Sequence, residues 1–138
     1  RLEPTFYEAE WAYLPCYDDL GKNPKQIFYA ASPACSGKMK VSNIGCSEEN
    51  IAKWKEVYSE KGGEYDMTIY ISCDKNRKLE VSVNETKTEI KDLNSGNKEK
   101  VTSVTIPVTL VAGNNVIRMG NNFGRAPDID CFKLSKRQ

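Results

Sequence analysis

The sequence predicts an all-β domain, a β-sandwich of the jelly-roll type, from three observations. Apolar and polar residues alternate in several stretches, as where Tyr65, Met67, Ile69 and Ile71 interleave with Asp66, Thr68 and Tyr70, the period-two pattern of a half-buried strand. No stretch carries a strong helical period, and about eight or nine short strands can be marked along the chain, which favours a sandwich. Strands stand at both ends with long crossing loops between them, which favours a jelly roll. The 138 residues suit one domain with a proper core and not two. No repeat, low-complexity run or linker divides them.

Taken in order, Phe6 to Tyr13 reads as the first strand, with Glu8 and Glu10 on one face and Tyr7, Ala9 and Trp11 on the other. Pro15 to Ala34 is a long loop rich in turn formers and aromatics, with one short strand around Gln26 to Tyr29; loops of that length in compact domains are functional or disordered, and the aromatics favour order. Ser36-Gly37 is a turn, and Met39 and Val41 open a short strand ending at Asn43-Ile44-Gly45. Ile51 to Tyr58 suits either period; its short length and strand neighbours decide for a strand. After the turn Lys61-Gly62-Gly63 come the strand from Tyr65 to Ile71 and another at Leu79, Val81 and Val83. Leu93 to Lys100 reads as a polar loop. Val104, Ile106, Val108 and Leu110 form a strand that Pro107 confines to an edge or a bulge, because proline donates nothing to a ladder. Gly113-Asn114-Asn115 turns into the strand Val116 to Met119, and Ile129 to Leu134 completes the set.

Composition excludes several functions. Lysine and arginine number 20 against 19 acids, so no basic surface argues for nucleic acid. No basic amphipathic segment or long apolar run points to a membrane, and no signal peptide is visible. The chain opens at Arg1, which reads as a mature chain or an excised piece of a longer one. Histidine is absent, which removes the usual general base and the commonest zinc ligand. Five cysteines occur without C-x-x-C spacing, so they read as small buried hydrophobes; a Cys35–Cys46 disulfide has the partners but no positive support.

The chemistry-bearing residues lie at the two ends. Glu8 and Glu10 are two apart, and so are Asp128 and Asp130, so within a strand each pair shares a face. The first and last strands are expected side by side, with some of these acids closing on a cation. Three clustered carboxylates without one would repel and raise a pKa; alternatively Glu8 and Glu10 simply point to solvent.

Near the start, Tyr7-Glu8-Ala9-Glu10 resembles the opening of carbohydrate-binding modules of families 6 and 35. So do Gly63-Glu64-Tyr65, the run Arg77 to Asn84, Leu110-Val111-Ala112-Gly113-Asn114-Asn115-Val116-Ile117-Arg118 and Ala126-Pro127-Asp128-Ile129-Asp130. Each piece is weak alone, but together they cover almost the whole chain in order. Ser42-Asn43-Ile44-Gly45 and Trp54 to Ser59 look most like the non-catalytic module attached to bacterial α-galactosidases and related glycoside hydrolases. The resemblance implies a galactose-binding-domain-like jelly roll, residues 1–138 as one module excised from a larger, secreted, periplasmic or cell-surface bacterial glycoside hydrolase. It implies a structural Ca2+ on Glu8, Glu10 and Asp130, with backbone carbonyls filling the shell. That fits calcium's demand for hard oxygens.

The resemblance also places a sugar site in the loops at one end of the sandwich. There its stacking positions hold Cys46 and the polar stretch Asn97-Lys98, and its amide position holds Asp128. A ring is needed because the C–H faces of sugars stack on aromatics while the hydroxyls need directed partners; Tyr29 is the expected substitute. Asn121, Asn122, Arg125 and Asp128 form the candidate polar set, Arg125 suiting a uronate carboxylate. Plain turn chemistry is the competing explanation for Asn121 and Asn122. Trp11 and Trp54 read as core, and Asn84-Glu85-Thr86 as a glycosylation acceptor in a eukaryotic secretory setting only.

Three functions result. The first is a monomeric, non-catalytic module that binds oligo- or polysaccharide for an attached catalytic domain. The second is a spacer that has lost its ligand, which a filled loop end would favour over an open cleft with an exposed ring. The third is hydrolysis by a carboxylate pair such as Asp128 with Asp18 or Asp19, disfavoured because nothing places them together.

Overall fold

The computed structural model describes residues 3–17 and 27–137. Ten strands are present among them: β1 Phe6–Glu8, β2 Phe28–Ala31, β3 Met39–Ser42, β4 Gly45–Ser59, β5 Gly63–Cys73, β6 Arg77–Val83, β7 Thr86–Leu93, β8 Asn97–Leu110, β9 Gly113–Arg125 and β10 Asp128–Lys136. One sheet runs β2-β3-β10-β5-β8, with β1 also on β10; the other runs β4-β9-β6-β7. Every pairing is antiparallel. This is the predicted jelly-roll sandwich.

The alternation seen in sequence fills the space between the sheets. Met67, Ile69 and Ile71 of β5 and Ile129 and Phe132 of β10 are fully buried, as are Ala52 and Val57 of β4, Leu79 of β6 and Ile117 and Met119 of β9. Each large apolar side chain so buried contributes roughly 1.5–3 kcal/mol. The Phe132 ring lies between Tyr7, stacked at 4.9 Å, and Trp54, which meets it edge-on at 4.9 Å. β1 is only three residues long, and this aromatic layer holds it in place. The first and last strands are therefore neighbours as expected, with Phe6, Tyr7 and Glu8 opposite Lys133, Phe132 and Cys131.

Several expectations need correction. The first strand stops at Glu8, and Ala9–Trp11 is a 3-10 turn. Trp11 is consequently 63% exposed rather than core, lining a shallow groove with Tyr13, Lys53 and Lys55. The polar stretch from Leu93 to Lys100 is mostly strand, since β7 runs to Leu93 and β8 begins at Asn97. β7 itself was missed because an edge strand with few buried residues shows little apolar alternation. Pro107 sits where expected: β8 is an edge strand, paired on one side only, where a proline is tolerated. β9 extends through Asn121 and Asn122 to Arg125, and neither asparagine takes the left-handed backbone that a turn would use. The short strand placed around Gln26 to Tyr29 is β2, Phe28–Ala31; Gln26, like Asp18 and Asp19, lies outside the described residues. The five cysteines are free, four buried and Cys46 exposed, so Cys35 and Cys46 form no disulfide.

Candidate functional site

Two side-chain constellations lie along β10, and a break in its regularity builds them. Against β5 the register passes from Ile129↔Ile71 to Cys131↔Tyr70, so Asp130 is an extra, bulged residue. On its other edge β10 meets β3 at Ile129 and β1 from Cys131 onward. Asp130 thus falls where one short strand gives way to the other. Ile129 and Phe132 both belong to the apolar core although they are three apart, while Asp130 and Cys131 lie outside it.

The gap beside Asp130 is an acidic pocket. The Ser36 N–H donates to Asp130 Oδ1 at 2.9 Å. Glu8, opposite Cys131, is held by its carbonyl, which accepts from Trp54 Nε1 at 3.0 Å. Ligating atoms of Glu8, Asp130 and Cys131 all lie within 4.8 Å of one another. Glu10 reaches the same place from the 3-10 turn: a Cβ added to Gly37 would meet Glu10 Oε2 at 2.6 Å and Glu8 Oε2 at 2.7 Å. Gly37 has a φ of 63°, and its bare backbone leaves the acids room. Glu8 and Asp130 are each 6% exposed.

Electrostatically the cluster is under strain. Burial raises the Asp130 carboxyl to about 6, against the pull of the Ser36 N–H and helped by the charge of Glu8. Burial likewise raises Glu10, opposed by its own backbone N–H and helped by Glu8 and Asp130. The Cys131 thiol is pushed up to about 12 by burial and by the charges of Asp130 and Glu8. Glu8 Oε1 and Glu10 Oε1 are buried without a hydrogen-bond partner. Buried polar atoms are nearly always satisfied, and an orphaned carboxylate oxygen is costly. A divalent cation would relieve both the repulsion and the unmet lone pairs, so these residues fit one.

The second constellation is a cleft of about 610 Å3 at the loop end, lined among others by Phe28, Lys40, Cys46, Lys98, Arg125 and Asp128. Lys40 is 5% exposed and spends its ammonium on Asp128 Oδ2 at 2.9 Å, Ser72 Oγ at 3.3 Å and the Lys98 carbonyl at 2.9 Å. Asp128 therefore faces the cleft while Asp130, two residues on, serves the acid pocket. Arg125 donates to the Asn43 carbonyl and Arg77 to the Ala126 carbonyl at 3.2 Å. Both hold backbone at the base of the cleft and line it.

The predicted ligand residues divide. Arg125 and Asp128 are in the cleft. Tyr29 is not among its lining residues: its hydroxyl donates to the Ala12 carbonyl at 3.0 Å and its ring packs against Tyr17 at 5.3 Å. From β2 it is Phe28, Ala30 and Ala31 that line the cleft instead, so Phe28 is the ring there. Asn121 is a framework residue: it is 4% exposed, donates to the Lys78 carbonyl and accepts from the Phe123 and Gly124 N–H groups. Asn122 lies by Glu80 and Arg118 in a different depression, its N–H donating to Glu80 Oε1 at 2.9 Å. Asn84, in the acceptor motif, commits its amide to buried Asn115 at 2.5 Å.

One residue that shapes the cleft was not singled out from sequence. Asn50 is 1% exposed. Its Nδ2 donates to the Asn43 and Gly45 carbonyls and its Oδ1 accepts from the Ile27 N–H. It thereby ties the 43–45 corner to the start of β2, next to Phe28. A lone asparagine in a polar run carries no signal for such a role.

No family model matches the chain, and no curated protein matches it. Solved structures do. A family 35 carbohydrate binding module from Clostridium thermocellum superposes with a TM-score of 0.82 at 26% identity, over 94% of this chain and 97% of that one. A CBM35 from Paenibacillus barcinonensis gives 0.75 at 17% identity, over 97% and 100%. The exo-beta-1,3-galactanase of Phanerochaete chrysosporium, solved with beta-1,3-galactotriose, gives 0.80 at 23% identity. There this chain covers 97% of itself but only 30% of the enzyme.

Proposed function

We propose, for a β-sandwich of the family 6/35 carbohydrate-binding-module type, that this chain is a non-catalytic domain holding oligo- or polysaccharide for an attached glycoside hydrolase, α-galactosidases being one such class. The observation that carries this reading is the open loop-end cleft. It contains a half-buried ring, Phe28, and charged groups around it, Lys98, Arg125 and Asp128. A cleft of that kind suits a sugar, whose apolar face needs a ring and whose hydroxyls need directed donors and acceptors. It speaks against the spacer, whose loop end would be filled. A secreted, periplasmic or cell-surface location belongs to the same reading, as does a monomeric isolated module.

Glu8, Glu10 and Asp130 would hold a structural calcium ion. The ion would join three carboxylates on a bulge, a strand end and a turn, and backbone carbonyls would supply the rest of the oxygens calcium needs. The ion's part is to neutralise the cluster and lock β1, the 36–38 turn and β10 together. No step of sugar recognition is assigned to it.

The test is a glycan array followed by calorimetry with galactosides, mannans and uronates. Binding to at least one class, weakened in Phe28→Ala and Asp128→Asn, supports the module. Silence across all of them favours the spacer. Calcium at a hundredfold excess over Kd should add about 2.7 kcal/mol of stability; an unchanged melting temperature with calcium or chelator would remove the ion from the reading.

A further inference from the structure

We propose that Cys131 is also a ligand of this acid pocket, so that the site accepts a thiophilic divalent ion such as zinc more tightly than calcium. This rests on reading the cluster as a cation site and concerns which ion that site prefers.

Cys131 is 3% exposed yet stands outside the apolar core, among acids. It faces Glu8 directly across the β1–β10 pairing, and the bulge at Asp130 brings three ligand types into one place: a strand-end glutamate, a bulged aspartate and a thiol. Their ligating atoms lie within 4.8 Å of one another. Tetrahedral zinc, with zinc–sulfur and zinc–oxygen bonds of about 2.3 and 2.1 Å, holds its ligand atoms roughly 3.4–3.6 Å apart, so side-chain rotations that draw these atoms together by about an ångström close the set on one ion. Glu10, whose Oε2 shares the space above Gly37 with Glu8 Oε2, is placed to supply a fourth ligand. Independently of the clustering, Glu8 Oε1 is buried without a partner, a vacancy in the bonding of a side chain that is only 6% exposed.

Ligand chemistry then sets the preference. Calcium takes hard oxygens and gains little from sulfur. Thiolate selects zinc and its spectroscopic stand-in, cadmium. On binding, the metal–sulfur bond forms as the S–H bond breaks, and the proton leaves to solvent. No electron is transferred.

The experiment is titration of the chelator-stripped chain, kept reduced by a phosphine, with cadmium chloride, following the sulfur-to-cadmium charge-transfer absorption. One saturating equivalent should produce the band, zinc should abolish it, and calcium should do so only at roughly hundredfold excess or more. Cys131→Ser should lose the band while keeping its calcium-dependent rise in melting temperature. Cys46→Ser should keep the band, and Glu8→Gln should weaken it. A band that persists in Cys131→Ser, or none in the wild type while calcium still stabilises it, overturns the thiol ligand and leaves the calcium site standing. If no ion alters absorption or melting, the cation site itself is wrong.

Discussion

The Tyr7 ring stacks on Phe132 at 4.9 Å with only 15° between the planes, and this contact sets where the next residue points. With Tyr7 fixed inward, strand alternation turns Glu8 to the opposite side, toward Asp130. A hydrophobic contact thereby aims a carboxylate. Phe132→Ala should cost about 3–5 kcal/mol and also abolish the stabilisation by calcium. Urea unfolding with calcium and with chelator separates the two losses; a variant that still gained fully from calcium would break the link.

Gly37→Ala should remove ion binding by pushing a methyl group onto Glu8 and Glu10, where its Cβ would lie 2.7 and 2.6 Å from their oxygens. Backbone strain is a competing cause, since φ is 63° there. Gly96→Ala is the control: φ is 84°, with nothing within 4 Å of the new Cβ. Both should lose about 1–2 kcal/mol to the left-handed backbone. Only Gly37→Ala should lose the calcium-dependent rise in melting temperature.

Phe28→Ala should weaken sugar binding roughly 3- to 10-fold, the worth of one aromatic contact beyond its buried area, while Phe28→Tyr retains most of it. Tyr29→Ala should act on stability instead, because that ring packs against the core and its hydroxyl bonds Ala12. Calorimetry and thermal melts on the two variants distinguish the roles; equal loss of affinity in both would place the ring wrongly.

Asn50→Ala should destabilise the protein by about 1–3 kcal/mol, since it strands buried carbonyls and an N–H that the amide now serves. It should also reduce sugar affinity without touching a ligand, because the corner beside Phe28 loses its tie. Hydrogen exchange at Ile27 is the direct readout, and protection there should fall.

Glu80 supplies the pH dependence. Burial alone would raise its carboxyl, but the Asn122 N–H and the ammonium groups of Lys78 and Lys87 outweigh burial and hold it below the usual range. A depressed acid stabilises the fold above its unfolded pKa and loses that contribution as pH falls through the folded value. Wild type should therefore exceed Glu80→Gln in stability at neutral pH, and the gap should close as the pH drops below about 4.5. Chemical unfolding across that range checks the sign.

Much of the architecture was legible because strand alternation is a local signal. Tyr65 to Ile71 and Val104 to Leu110 were visible for that reason, and Pro107 correctly marked an edge. β7 was invisible because its residues are mostly exposed. The site was legible in type more than in detail. Glu8, Glu10 and Asp130 stood out as carboxylates at the chain ends, and Arg125 and Asp128 as polar groups near the last turn. Tyr29 in place of Phe28 is a one-residue error, and in a strand one residue reverses the face.

By itself the sequence determined the sandwich, the pairing of its ends and which side chains carry charge, since all three follow from periodicity and residue type. Only the tertiary structure decided that Asp128 turns to Lys40 and Asp130 to Glu8, that Asn121 is spent on the framework, and that Cys131 joins the acids. The outcomes along β10 depend on a single bulge and on strands that meet it from distant parts of the chain, and that of Asn121 on the pairing of β9 with β6. A bulge inserts one residue without changing the local pattern, so its consequence exists only where the neighbouring strands are in place.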